Sequence, residues 1–282
     1  MSALEKAVTS WLEKRPYLQE VAAFALACES VLAGGKVITE LPKNLDDVKE
    51  KIGQDKPLLL SDIDFNISDT AGENLLMLAK LKDEAKLPDD LKAQADKLSS
   101  LSLDDAKKVV QSVISGDDDE SFSSIAAGCG IKEDILEYFA WVSIKKSLSG
   151  IKEALENIIS ENQYNAGVCP VCGEQAGTAF FKHTKRGRQR FLHCDHCGTD
   201  WAYKRIGCPY CGNNDQKKMS IKDSQDETDM RIDLCHKCMS YIKTYIGEDE
   251  LNAGREGWAS IHLDILMKET GFKPKGCLVK PE

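Results

Sequence analysis

Cys169-Pro-Val-Cys172-Gly173, Cys194-Asp-His-Cys197-Gly198, Cys208-Pro-Tyr-Cys211-Gly212 and Cys235-His-Lys-Cys238-Met239 punctuate the second half of this chain. A C-x-x-C pair on a tight turn, or knuckle, lets two thiolates converge on one ion. The backbone N–H groups that follow the first cysteine point at the sulfurs and stabilise their negative charge. A glycine after the second cysteine suits the positive φ of such a turn, and three of the four knuckles have one. Two knuckles supply four sulfurs, enough for a closed tetrahedral site. Between Cys172 and Cys194 lie 21 residues, and between Cys211 and Cys235 lie 23. Both gaps suit a small β-ribbon, so consecutive pairing yields two similar modules that look like a duplicated unit. Site one is then Cys169, Cys172, Cys194 and Cys197; site two is Cys208, Cys211, Cys235 and Cys238. The competing topology is interleaved, with the first and third knuckles sharing an ion. A redox dithiol is the rival chemistry, but a thioredoxin-like motif usually occurs once, in a βαβ context. Four thiolates suit zinc or a single rubredoxin-like iron, with an Fe–S cluster as a third option.

The rest of the chain differs in texture. Of its 282 residues, 42% are hydrophobic and 29% charged, as in a folded globular protein. Only Cys28 and Cys129 of the 11 cysteines precede the first knuckle, and Cys277 follows the last. Residues 1–167 carry 19 basic and 30 acidic side chains, a net of −11, whereas 168–282 carry 18 and 16, a net of +2. No apolar run is long enough for a membrane span. The acidic residues before Val21–Cys28 do not suit a signal peptide, so a cytoplasmic protein is expected. Thiols stay reduced there, which favours metal over disulfides.

The first half reads as helices. Leu18, Val21, Ala22, Ala25 and Leu32 recur at helical spacing, and Ile131, Ile135, Phe139 and Val142 form another stripe. Thr70 with Glu73 suggests a capping box before Leu75. Pro88-Asp89-Asp90 suggests another helix start, and further helices are expected over Ser102–Ile114 and Ile151–Ser160. Gly116–Glu120 is expected as a solvated loop. Between the knuckles, Thr178–Lys182, Arg190–His193, Asp200–Arg205, Lys218–Ile221, Met230–Asp233 and Tyr241–Tyr245 read as strands. From Leu251 a closing helix is expected, with Trp258, Ile261, Ile265 and Leu266 on one side. The expected class is α+β: a helical domain over 1–164, metal modules over 165–206 and 207–247, and a C-terminal helix and tail over 248–282.

Five basic residues lie within Lys182–Arg190, so a nucleic-acid-binding zinc ribbon is the alternative reading. His196 and His236 sit inside knuckles whose four thiolates leave no vacancy for them. No Ser/His/Asp arrangement, phosphate loop or H-E-x-x-H stands out, and closed thiolate sites offer no open coordination position, so a non-enzyme is expected.

The run from Arg190 through Cys194, Cys197, Trp201, Arg205 and Cys208 to Cys211-Gly212, with the outer knuckles, Tyr241-Ile-Lys243 and Trp258–Leu266, resembles the FdhE family of formate dehydrogenase maturation proteins. The likeness covers roughly residues 165–275; upstream it is general, with Arg15-Pro16-Tyr17-Leu18 as a family-like start. It implies a helical domain followed by two rubredoxin-like modules whose eight knuckle cysteines hold two ions, iron or zinc. It implies a cytoplasmic accessory protein that binds the catalytic subunit of a formate dehydrogenase, a molybdenum or tungsten enzyme, without itself turning over formate. Trp201, Arg205 and Tyr241 are candidate contact or packing residues. The tail Phe272–Cys277 departs from the family pattern.

Overall fold

A computed structural model describes residues 3–58, 60, 66–116, 120–184, 187–223, 227–248 and 253–279. Helices occupy the front of the chain: α1 (Ala3–Lys14), α2 (Gln19–Val31), α3 (Leu45–Gly53), α4 (Ile67–Met77), α5 (Asp89–Lys97), α6 (Leu103–Ser115), α7 (Glu120–Cys129), α8 (Glu133–Leu148) and α9 (Lys152–Glu161). Strands follow: β1 (Thr178–Thr184), β2 (Gly187–His193), β3 (Asp200–Tyr203), β4 (Met219–Lys222), β5 (Met230–Cys235) and β6 (Ser240–Tyr245). The short helix α10 (Ile261–Met267) and strand β7 (Lys273–Pro274) close the described chain. The expected α+β order, helices first and strands after, is therefore present.

Local chemistry explains several boundaries. Ser102 caps α6 by accepting from the Asp105 N–H at 3.1 Å, and Gly116 ends that helix at φ 67°. Pro88 precedes α5, whose first turn holds Asp89 and Asp90. The expected Thr70/Glu73 cap is not a start: α4 begins at Ile67 after Asn66, and Thr70 lies inside it, its hydroxyl donating to the Asn66 carbonyl. In α8 the buried row is Leu136, Phe139, Ala140, Ser143, Ile144 and Ser147, while Ile135 and Val142 are only half-buried. The core stripe thus lies beside the one that apolar spacing picks out. Two serines occupy it because their hydroxyls return to the Phe139 and Ser143 carbonyls at 2.8 and 2.9 Å. Of the Gly116–Glu120 loop, residues 117–119 lie outside the described residues.

The chain divides into two compact units, but not at residue 164. One unit joins Met1–Ala22, Lys49–Pro57 and Ile158–Glu282; the other holds Ala23–Val48 and Leu58–Asn157. The second is a helical bundle in which α4 packs against α6 and α8. Its buried Asn74 donates to Ser147 Oγ and the Lys36 carbonyl, both at 2.9 Å, and pins α4 to α8. In the first unit, α1 lies with the sheet. Trp11 Nε1 donates to the Ala259 carbonyl at 3.0 Å, its ring meets Tyr245 edge-on, and the Arg15 guanidinium covers it at 3.4 Å. Partners more than 200 residues away hold α1, which no local period can reveal.

The two cysteine modules share one sheet of order β3-β2-β1-β6-β5-β4, with β7 added to β6. Each module repeats the same order: knuckle, strand, strand, knuckle, strand. Within each, neighbouring strands are antiparallel; between them β1 and β6 pair in parallel from Thr178↔Lys243 to Phe180↔Tyr245. That edge-to-edge joining removes one free edge from each ribbon. Central strand β6 is consequently buried at all six positions.

The closing helix turns a different face from the expected one. Ile265 and Leu266 are 64% and 52% exposed, whereas Ala259, Ser260, Leu263, Asp264 and Met267 are buried. Asp264 belongs inside because Tyr241 OH donates to it at 2.7 Å and Lys243 Nζ at 2.6 Å. A buried ion pair on that face misleads a reading based on hydrophobicity.

Candidate metal centres

The knuckles meet in consecutive pairs. The four Sγ atoms of Cys169, Cys172, Cys194 and Cys197 lie within 4.8 Å of one another, as do those of Cys208, Cys211, Cys235 and Cys238. The interleaved arrangement is not the one adopted. In the first cluster Cys169–Cys197 and Cys172–Cys194 are 3.4 and 3.5 Å apart; in the second Cys208–Cys238 and Cys211–Cys235 are 3.7 and 3.8 Å apart. A covalent S–S bond would be about 2.05 Å. A tetrahedron with metal–sulfur bonds of about 2.3 Å has an edge of about 3.8 Å. The second cluster has that edge and the first is slightly tighter, so both donor sets fit a tetrahedral ion.

Three knuckles are built alike. The N–H of Gly173, Gly198 and Gly212 donates to the carbonyl of Cys169, Cys194 and Cys208 at 2.9–3.0 Å. These cysteines in turn donate to the carbonyls of Glu174, Thr199 and Asn213. The glycines adopt φ 80°, 78° and 68°. The fourth knuckle lacks the glycine, and Met239 takes φ 53° in its place.

The electrostatics of the sulfurs point the same way. Burial pushes the Cys172 and Cys194 thiols up. Burial also acts on Cys197, but hydrogen bonds from Cys169, Cys172, Cys194 and Thr199 outweigh it and hold that thiol down. In the second cluster burial raises Cys208 and Cys211. At Cys238 it is outweighed by hydrogen bonds from Ser240 and the three other sulfurs, which bring the thiol to about 7. Four thiolates gathered this closely repel one another, and a dication among them would compensate their charge.

Aromatic residues set the segments that carry the cysteines. Trp201 is buried, and its Nε1 donates to the Ala166 carbonyl at 3.0 Å; Tyr164 OH donates to the Val168 carbonyl at 3.0 Å. Tyr203 OH donates to the Cys208 carbonyl at 3.1 Å, and Tyr210 OH to the Ala176 carbonyl at 2.9 Å. Gly167 lies so close to Pro209 that a Cβ would sit 1.8 Å from its carbonyl oxygen. Tyr241 is likewise internal, bound to Asp264, while Arg205 is exposed after β3. Spacing does not single out Lys243 and Asp264. Burial acts to lower the Lys243 pKa, but Cys277, Asp264 and Asp195 outweigh it and raise it. A lysine within the apolar run Tyr241–Tyr245 was the available signal.

The basic cluster is largely consumed internally. Arg190 is buried and donates to the Gly207 carbonyl at 3.0 Å, with Asp233 at 3.4 Å. Arg188 donates to the Ile246 carbonyl at 2.7 Å, and Lys182 lies over Phe191. Lys185 and Arg186 lie outside the described residues. No described helix is long and apolar enough to cross a membrane.

Residues 168–205 match the family model described as FdhE, central domain. A protein named Protein FdhE homolog from Aquifex aeolicus (strain VF5) is 30% identical over 241 residues, covering 83% of this chain and 78% of its own. The chain belongs to the FdhE family. Protein FdhE of Escherichia coli O1:K1 / APEC is 26% identical over 260 residues, covering 91% of this chain and 78% of its own. The crystal structure of the FdhE protein from Pseudomonas aeruginosa superposes with a TM-score of 0.67 at 20% identity, covering 99% of this chain and 95% of that one. That likeness shows a shared FdhE fold.

Proposed function

We propose that this FdhE-family protein is a cytoplasmic, non-enzymatic accessory protein that binds the catalytic subunit of a formate dehydrogenase during its maturation. The observation that carries the reading is the pair of closed four-sulfur clusters in a chain of this family. Cys169, Cys172, Cys194 and Cys197 would hold one ion, and Cys208, Cys211, Cys235 and Cys238 a second, iron or zinc. Each ion would supply cross-linking of two knuckles, and with it much of the module's folding free energy, on the order of 10 kcal/mol per structural zinc. The protein's own residues do the rest. Trp201 and Tyr164 position the approach to Cys169, Tyr203 and Tyr210 join the two ribbons, and Lys243–Asp264–Tyr241 fixes the closing helix on β6. Four thiolates around one ion leave no position for a substrate, which supports an assembly role over hydrolysis.

Two measurements test this. Elemental analysis of protein purified without oxygen should find two iron or zinc atoms per chain. Affinity capture from the native cell should retain the formate dehydrogenase catalytic subunit, and loss of one cluster should abolish retention. Capture of nucleic acid in its place, with affinity falling steeply as salt rises, would overturn the reading.

A further inference from the structure

The two clusters share a plan but not an environment. In the first, the knuckle Cys194–Thr199 is buried along its whole length, and so is His193 before it. The chain is packed around it too tightly to move aside. A Cβ on Gly177 would lie 2.2 Å from Asp195 Cγ, and one on Gly257 would lie 2.0 Å from Asp195 Oδ2. Only Cys172 of that cluster is half-buried. In the second, the corresponding knuckle stands at the surface. His236, Lys237 and Met239 are exposed and Cys238 is half-buried. On the facing knuckle Cys211 is half-buried, Gly212 is exposed, and a Cβ there would meet nothing within 4 Å. Two cysteines from opposite knuckles of this cluster are therefore half-buried, against one in the first.

The surroundings add a charge preference. Lys237 is exposed within the knuckle, and the His236 N–H donates to the Lys218 carbonyl at 2.9 Å, placing Lys217 and Lys218 alongside. Asp215 is the nearby counter-charge, held in place by accepting from the Lys217 N–H. Lys217, Lys218 and Lys237 offset the −2 charge that four thiolates and a dication would carry, so an anionic ligand meets less repulsion on this side.

We infer that Cys208, Cys211, Cys235 and Cys238 form an exchange site, at which a soft metal ion passes to or from incoming anionic thiol ligands, while Cys169, Cys172, Cys194 and Cys197 form a permanently closed site. The inference rests on the eight cysteines being metal ligands. An incoming ligand can approach between Cys211 and Cys238 with the fold intact, whereas the first cluster opens only when the buried knuckle does. Local opening of packed structure is rarer than the native state, so exchange at the first site is slower.

The full chain, loaded with zinc, provides the test. Zinc content is measured first; two ions per chain uphold the ligand reading, and a chain that binds none overturns it along with this inference. An excess of an anionic chromogenic chelator is then added together with iodoacetamide, and alkylated cysteines are mapped by peptide mass spectrometry. Each alkylation forms a C–S bond at a thiolate, breaks a C–I bond and releases iodide. One zinc should leave at least about tenfold faster than the other, with Cys211 and Cys238 labelled in the fast phase. Lys237→Glu should slow the fast phase about two- to fivefold and leave the slow phase unchanged. Release of both ions in one phase, or labelling of Cys194 and Cys197 before Cys238, overturns the inference.

Discussion

Met239 offers a sharp test of knuckle geometry. Its φ of 53° is the left-handed conformation that the sister glycines Gly173, Gly198 and Gly212 adopt at 80°, 78° and 68°. A residue with a Cβ loses about 1–2 kcal/mol there. Replacing it with glycine removes that strain but returns freedom to the unfolded chain, worth about 0.4–1 kcal/mol. Little burial is lost, because Met239 is 44% exposed, and its carbonyl keeps the bond from the Lys273 N–H at 2.9 Å. Met239→Gly should therefore stabilise the protein by roughly 0.5–1 kcal/mol. The converse change, Gly212→Ala, places a methyl in open space at φ 68°, so only the backbone strain remains. It should destabilise by a similar amount. Differential scanning fluorimetry of the metal-loaded proteins should show midpoints moving about 1–3 °C, up for Met239→Gly and down for Gly212→Ala. A lowered midpoint in Met239→Gly, or no change in Gly212→Ala, would refute the premise that the fourth knuckle is a strained copy of the other three.

Three further outcomes follow from the structure. Cys194→Ser should cost the first module its ion and unfold it, lowering bound metal from two to one per chain and reducing near-ultraviolet circular dichroism; undiminished metal would argue against that sulfur as a ligand. Asp264→Ala strands Lys243, itself almost wholly buried, and should cost about 3–5 kcal/mol, whereas Tyr241→Phe should cost about 1 kcal/mol; urea titrations distinguish them. Glu227 feels burial, which raises its pKa, but hydrogen bonds from His262 and Arg15 outweigh it and hold it at about 2, against an ordinary 4.5. A depressed carboxylate stabilises the fold above its unfolded pKa, and that contribution disappears as pH falls from about 4.5 to 2. The stability gap between wild type and Glu227→Gln should therefore shrink across that range, and a gap independent of pH would contradict the ion pair.

Much of the molecule was legible without coordinates, for a physical reason. Knuckle spacing is short-range chemistry: Cys169 and Cys172 must share a turn, and a ribbon of 21 or 23 residues must return the chain to a second knuckle. Alternation and turn residues then locate β1 to β6 to within a few positions, but not the two-residue β7. Position along the chain could not show that the ribbons fuse through β1 and β6, because sheet pairing depends on which edges meet. Nor could it place α1, whose Trp11 meets Ala259 and Tyr245, or Arg15 just after it, which pairs with Glu227. The buried face of α10 is not the apolar one, because the tertiary fold pairs Asp264 with Lys243 and leaves Ile265 and Leu266 exposed. Two nearly identical motifs also ended in unlike surroundings, one sealed by Gly177, Gly257 and the buried Asp195, the other at the surface. Sequence by itself determined which atoms can grip an ion, since that depends on neighbours along the chain; only the packing of distant segments decided which grip is exposed to solvent.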